Sequence, residues 1–276
     1  MAGFGNHKKS EKKLKKDVKT NNFKAQIINQ AFLLHSQGNI LEAEKYYRYC
    51  IEQKINDYRI YSNYGLILKN KGKLREAEIL LKKTIQLNPN WSEAHNNMGT
   101  IQKDLGKLSE AELSLRKSIE LNPDSANAYS NLGNVLRELK KFKDAELSLR
   151  KSIELNPNSA NAYSNLGNVL RELKKFKDAE ISLRKAIEID PNSIIGYANL
   201  GNMLKTIGRV KEAKILLIKT IEINPEYVIP YYSLSRMKYE SSDKKMVWLS
   251  FFWKIFEKQN WKRKSKYLFC EIKYSS

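Results

Sequence analysis

An all-α chain built from stacked helix pairs is the fold class the sequence predicts, on three observations. Five of the six prolines, Pro89, Pro123, Pro157, Pro191 and Pro225, stand 34 residues apart. Glycines Gly65, Gly99, Gly133, Gly167 and Gly201 keep the same interval, as do alanines Ala43, Ala77, Ala111, Ala145, Ala179 and Ala213. A fixed period of this length marks supersecondary units that bury their apolar faces against their neighbours. Glycine (12) and proline (6) are also scarce among 276 residues, about half the roughly 12% of average chains. Few turn-formers favour long helices with short connections over an all-β fold.

Residues 126–159 show the physics of one unit. Tyr129, Leu132, Val135, Leu136 and Leu139 share one face of a first helix at the 3.6-residue period. Phe142, Ala145, Leu149 and Ile153 do so on a second. Gly133 and Ala145 are small where two helices must approach closely. Ser125 is placed to cap the first helix, with Ser159 and Ser193 in the same role later. Pro157 ends the second helix, because it lacks the backbone donor and restricts the residue before it. Gly38, Gly72, Gly106 and Gly208 suit the left-handed residue that closes a first helix. Lys140 and Lys174 replace that glycine, at a cost of about 1 kcal/mol each. Residues 111–146 and 145–180 are identical apart from Asp124 against Asn158, the mark of an internal duplication.

With Gly133, Ala145 and Pro157 at positions 8, 20 and 32 of a 34-residue unit, the pattern resembles the tetratricopeptide repeat (TPR). The resemblance implies a right-handed α-solenoid and covers about three quarters of the chain. In order, residues 1–23 form a basic arm, and six repeats follow at 24–57, 58–91, 92–125, 126–159, 160–193 and 194–227. The first is degenerate, with Ala31 for the glycine and Ile55 for the proline, as suits a terminal capping repeat. Residues 228–261 read as a degenerate seventh repeat or capping helices, and 262–276 as a basic and aromatic tail.

The resemblance also implies that first helices line a concave binding face. There, position 6 is asparagine six times: Asn29, Asn63, Asn97, Asn131, Asn165 and Asn199. An amide offers both a donor and an acceptor, so it can pair with a peptide backbone whatever the sequence bound. The ladder is similar to that of the TPR region of protein O-GlcNAc transferases, where asparagines hold extended peptides. Asn134, Asn168 and Asn202 extend it on the same face. The alternative is an asparagine that solvates the position or bonds the next repeat. Position 12 is basic in five repeats, at Lys69, Lys103, Arg137, Arg171 and Lys205, and His35 in the first. This row either favours acidic ligands or is an ordinary solvated helix end with cations suited to the helix dipole. A chaperone-type carboxylate clamp is disfavoured, because position 6 has no arginine and only Arg59 is basic at position 2.

The formal net charge of +20 is concentrated at the ends. Residues 1–24 and 242–276 contribute +6 each, and the 217 residues between them +8. Among the C-terminal aromatics, Trp248, Phe252, Trp253 and Phe256 fall where other repeats are exposed, which suggests a partner surface or an interfacial membrane contact. No RNA-binding signature accompanies them, so nucleic acid is not the expected partner. The opening residues resemble TPR proteins of marine cyanobacteria, some of which carry a C-terminal sulfotransferase or glycosyltransferase domain. The roughly 50 residues after the sixth repeat are too few for such a domain, and none is expected here.

No catalytic chemistry is visible. His7, His35 and His95 lie on different segments, and no HExxH, CxxC, P-loop or GxSxG pattern occurs. Glu146 and Glu180 recur with the repeat and read as solvated faces. Two cysteines, Cys50 and Cys270, exclude a disulfide framework and a Cys-rich zinc site. No secretory signal follows the first lysines, and the longest apolar run, 246–253, is far short of the ~20 residues that span a bilayer. The sequence therefore predicts a cytoplasmic, cofactor-free scaffold that binds extended, acidic segments of partner proteins. The alternatives are the recognition part of a truncated or split transferase and a membrane-surface scaffold. Self-association is left open.

Overall fold

The computed structural model describes residues 23–235 and Met237. Every regular element among them is an α-helix, thirteen in all, and no strand occurs among the described residues. The chain divides into two compact parts, Met1–Leu173 and Lys174–Ser276. The division falls between the two helices of the repeat at 160–193.

The first part holds α1 (residues 23–36), α2 (Ile40–Glu52), α3 (Tyr58–Asn70), α4 (Leu74–Leu87), α5 (Ser92–Asp104), α6 (Leu108–Leu121), α7 (Ala126–Glu138), α8 (Phe142–Leu155) and α9 (Ala160–Glu172). Antiparallel neighbours α3/α4, α5/α6 and α7/α8 form tight pairs, and each pair packs on the next. The expected pattern holds at its centre: Leu132, Val135, Leu136, Ala145 and Leu149 are buried, and Tyr129, Leu139, Phe142 and Ile153 are half-buried. In the second part, α10 (Phe176–Ile189) packs on α11 (Ile194–Thr206), α11 pairs with α12 (Val210–Ile223), and α13 (Ile229–Ser235) packs on both. Its core is Leu183, Leu200, Met203, Leu204, Ala213 and Leu217. Of the expected seventh repeat only residues 228–235 and Met237 are described; the rest of 228–261, the tail at 262–276 and residues 1–22 of the arm lie outside the described residues.

Local chemistry sets the ends of these helices. Ser125, Ser159 and Ser193 accept hydrogen bonds from the backbone N–H of Ala128, Ala162 and Gly196 at 3.2–3.3 Å, the capping role expected of them. The turns after first helices use the left-handed conformation, at Gly72 and Gly106 and equally at Lys140 (φ 60°) and Lys174 (φ 59°). Small hydroxyl residues tie a second helix back to the first: Ser118 Oγ donates to the Ser92 carbonyl and Ser152 Oγ to that of Ala126, each at 2.8 Å. Both serines are buried, and these bonds satisfy them.

One expectation is corrected. The recurring glutamates of second helices are not solvated. Glu44, Glu78, Glu112 and Glu146 are 6–9% exposed. Lys107 Nζ donates to both oxygens of Glu78 at 2.8 and 2.9 Å, and Lys141 Nζ to Glu112 at 2.7 Å. Lys71 bonds Glu44 in the same way. Within its own helix each glutamate also meets a cation four residues on, as in Arg116–Glu112 (2.9 Å) and Arg150–Glu146 (2.9 Å). In the second part Glu180 is partly exposed and held by Arg184 (2.7 Å) and Arg209 (2.6 Å). Glu44, Glu78, Glu112 and Glu180 thus join one repeat to the next.

Candidate functional site

The face predicted to bind is best developed in the first part, where α3, α5, α7 and α9 lie side by side. Direct bonds run between them: Lys69 Nζ donates to Thr100 Oγ1 (3.0 Å), and Asn131 Nδ2 to Asn96 Oδ1 (2.9 Å). Positions 5, 6, 9 and 12 of neighbouring first helices thus meet along one surface.

The position-6 asparagines are not equivalent on it. Asn63 Nδ2 donates to the hydroxyl of Tyr47 (3.3 Å), a fully buried residue of α2. That bond turns the amide nitrogen toward the preceding repeat. In repeat 2 the residue matching Tyr47 is Leu81, which offers no acceptor, and Asn97 Nδ2 is shielded from solvent without a partner. Asn131 finds Asn96 instead. Asn165 is half-buried and its side chain bonds nothing among the described residues; Asn29, on α1, is exposed. Asn134 and Asn168, at position 9, are half-buried and likewise make no side-chain bond among the described residues, so both donor and acceptor of each amide are unspent there. In the second part Asn202 Oδ1 accepts from Ser233 Oγ (2.7 Å), whereas Asn199 Nδ2 is shielded and unpaired.

The position-12 cations are mostly engaged. Besides bonding Thr100, Lys69 stands 3.9 Å from Asp104; Lys103 pairs with Asp104 at 3.2 Å and Arg171 with Glu172 at 2.8 Å. Lys205 donates to the Ser233 carbonyl at 3.0 Å. Arg137 differs, since its Nε is shielded and unpaired and none of its donors has a partner among the described residues. His35 pairs its Nδ1 with the Tyr47 hydroxyl at 2.9 Å and belongs to the packing of the first repeat. The aromatic group Trp248, Phe252, Trp253 and Phe256 lies outside the described residues.

The site is therefore a polar strip in which the amides of Asn134, Asn165 and Asn168 and the guanidinium of Arg137 have no partner among the described residues, beside the shielded and unpaired Nδ2 of Asn97. It offers hydrogen bonds in both directions and, at Arg137, a cation without an acidic partner. Among the described residues, no His, Cys, Asp or Glu side chains are grouped as a metal site. No described helix is long and apolar enough to cross a membrane.

Comparison with known proteins places the repeats. Models of the tetratricopeptide repeat match residues 126–159 and 160–193, residues 100–139, and residues 58–90 and 196–227, together more than half of the chain. Among solved structures, the chain is similar to a MamA fragment from Desulfovibrio magneticus RS-1, with 26% identity, a TM-score of 0.54 and coverage of 61% of this chain and 95% of that one. It is similar in fold to YrrB, described as a TPR protein with an unusual peptide-binding site, at 22% identity, TM-score 0.52 and coverage of 68% and 97%. PilF of Pseudomonas aeruginosa shares the fold at 15% identity, TM-score 0.65 and coverage of 79% and 99%. No curated protein sequence matches the chain significantly.

Proposed function

The chain belongs to the tetratricopeptide-repeat family, and we propose that it is a non-catalytic scaffold that holds extended segments of partner proteins on the first-helix face of α5, α7 and α9. The observation that carries this reading is the set of half-buried amides, Asn134, Asn165 and Asn168, whose side chains bond nothing among the described residues. An amide that is partly desolvated and unpaired gains from an incoming backbone N–H or C=O, because it has already lost part of its water. An extended strand exposes both groups at every residue, so such a face binds by backbone and tolerates side chains. Of the position-6 asparagines upstream of Asn165, Asn63 and Asn131 contribute less to binding and more to packing, since they spend a donor inside the protein.

The test is a triple change, Asn134→Ala, Asn165→Ala and Asn168→Ala. None of the three supports another residue, so the melting temperature should hold. With a peptide selected on the full chain from a random library, three bonds of about 1 kcal/mol each predict a loss of roughly a hundredfold in affinity by calorimetry. An unchanged Kd with an intact fold refutes the proposal.

A further inference from the structure

We infer that Arg137 is an acid-reading subsite: the carboxylate of an Asp or Glu side chain in the bound segment pairs with its guanidinium where the segment crosses from α7 to α9. The inference rests on the proposed peptide-binding face and narrows a row of five cations to one. Arg137 and Arg171 stand in identical sequence surroundings, each followed by a glutamate. Arg171 bonds Glu172 at 2.8 Å, whereas Arg137 forms no such bond with Glu138. Lys69, at the same position two repeats earlier, reaches across to Thr100. The residue matching Thr100 beside Arg137 is Asn168, and no bond joins them.

Arg137 is thus a half-buried cation whose Nε has lost its water and gained nothing in return. A guanidinium in that condition favours an anion that accepts two parallel N–H bonds. The charge available selects the anion. Lys69 and Lys103 share Asp104 and Arg171 faces Glu172, so Arg137 is the one position-12 cation of the first part with no acidic partner among the described residues. A lone guanidinium matches a carboxylate and under-matches a dianionic phosphate. Asn134 and Asn168, one turn before position 12 on their own helices, would hold the backbone on either side of the acidic residue.

The experiment selects peptides from a random 12-residue phage library on the full chain. One selected peptide is then synthesised with its acidic residue as Glu, as Gln and as phosphoserine. Each is titrated against the wild type, Arg137→Gln and Arg171→Gln, with a thermal melt of every variant. The expected result is a loss of about tenfold for the Glu peptide on Arg137→Gln, no loss for the Gln peptide, and no loss on Arg171→Gln. Equal losses at Arg137 and Arg171, or selected peptides without an acidic residue, overturn the subsite and leave the amide face standing. Tighter binding of the phosphoserine peptide overturns the carboxylate assignment. A library that yields no binder overturns the subsite together with the face on which it rests.

Discussion

Lys140 and Lys174 hold φ near 60°, where a Cβ crowds the backbone and glycine does not. At the same turn Gly72 and Gly106 have φ 75° and 77°. The lysines carry a local strain that the glycines avoid, so Lys140→Gly should stabilise the protein by about 1 kcal/mol in urea denaturation, and Gly106→Lys should destabilise it by a similar amount. A destabilised Lys140→Gly protein would show that the lysine side chain contributes more than its backbone costs. These turns were legible in the sequence, because the 34-residue register placed each lysine where a glycine stands in other repeats. The left-handed turn at Lys54 (φ 53°) was not, because the first repeat has lost its proline and closes in its own way. The roles of single asparagines were equally hidden. Asn63 and Asn97 are the same residue at the same position, and the difference between them is made by Tyr47 and Leu81 on another helix.

Pairs of helices are held by close approach. A Cβ added to Gly133 would lie 2.5 Å from Leu149 Cγ, and one at Gly99 2.5 Å from Leu115 Cγ. Both leucines are fully buried and cannot retreat. At Gly65 the nearest atoms would be 3.5 Å away, an ordinary contact. Gly133→Ala should therefore cost about 1–3 kcal/mol, whereas Gly65→Ala should be neutral or stabilising by up to about 1 kcal/mol through helix propensity. Equal effects at the two sites would contradict this packing. Repeats are also joined by carboxylates. The bond from Lys107 holds the Glu78 carboxyl below its ordinary range, and Lys71 and Lys141 do the same for Glu44 and Glu112. A carboxyl lowered in the folded state contributes stability that is complete above its unfolded value, about 4.3, and is lost as the pH falls through the lower folded value. Lys107→Met should thus destabilise the protein at neutral pH, and the deficit should shrink as the pH falls below about 4. A deficit independent of pH would show that Lys107 acts through packing alone. The sequence carried a signal for this network, a basic residue 29 positions after each such glutamate, but recurrence by itself does not separate burial from exposure. Ile79, Leu113, Leu147, Ile181 and Ile215 recur as faithfully as the core and are 65–70% exposed.

At the scale of the molecule, the period of the prolines was sufficient for the fold, because each repeat restates the same local instructions and the helix pairs follow from them. The candidate site was legible only as a face. Periodicity placed the amides and cations together on first helices, and it could not tell which of them the protein uses for itself. That distinction depends on contacts between repeats: Asn96 occupies Asn131, Thr100 and Asp104 occupy Lys69, and Ser233 occupies both Asn202 and Lys205. What is left over, Asn134, Asn165, Asn168 and Arg137, is a smaller and sharper site than the repeat alone suggests. The measurement that tests this most directly is a titration of the isotopically labelled full chain with a library-selected peptide, following the side-chain amide resonances by NMR. The account predicts that the Asn134, Asn165 and Asn168 amide signals shift in saturable fashion while those of Asn63 and Asn202 stay in place. Shifts confined to residues of the second helices, such as Leu113 and Leu147, with those three amides unmoved, would contradict it.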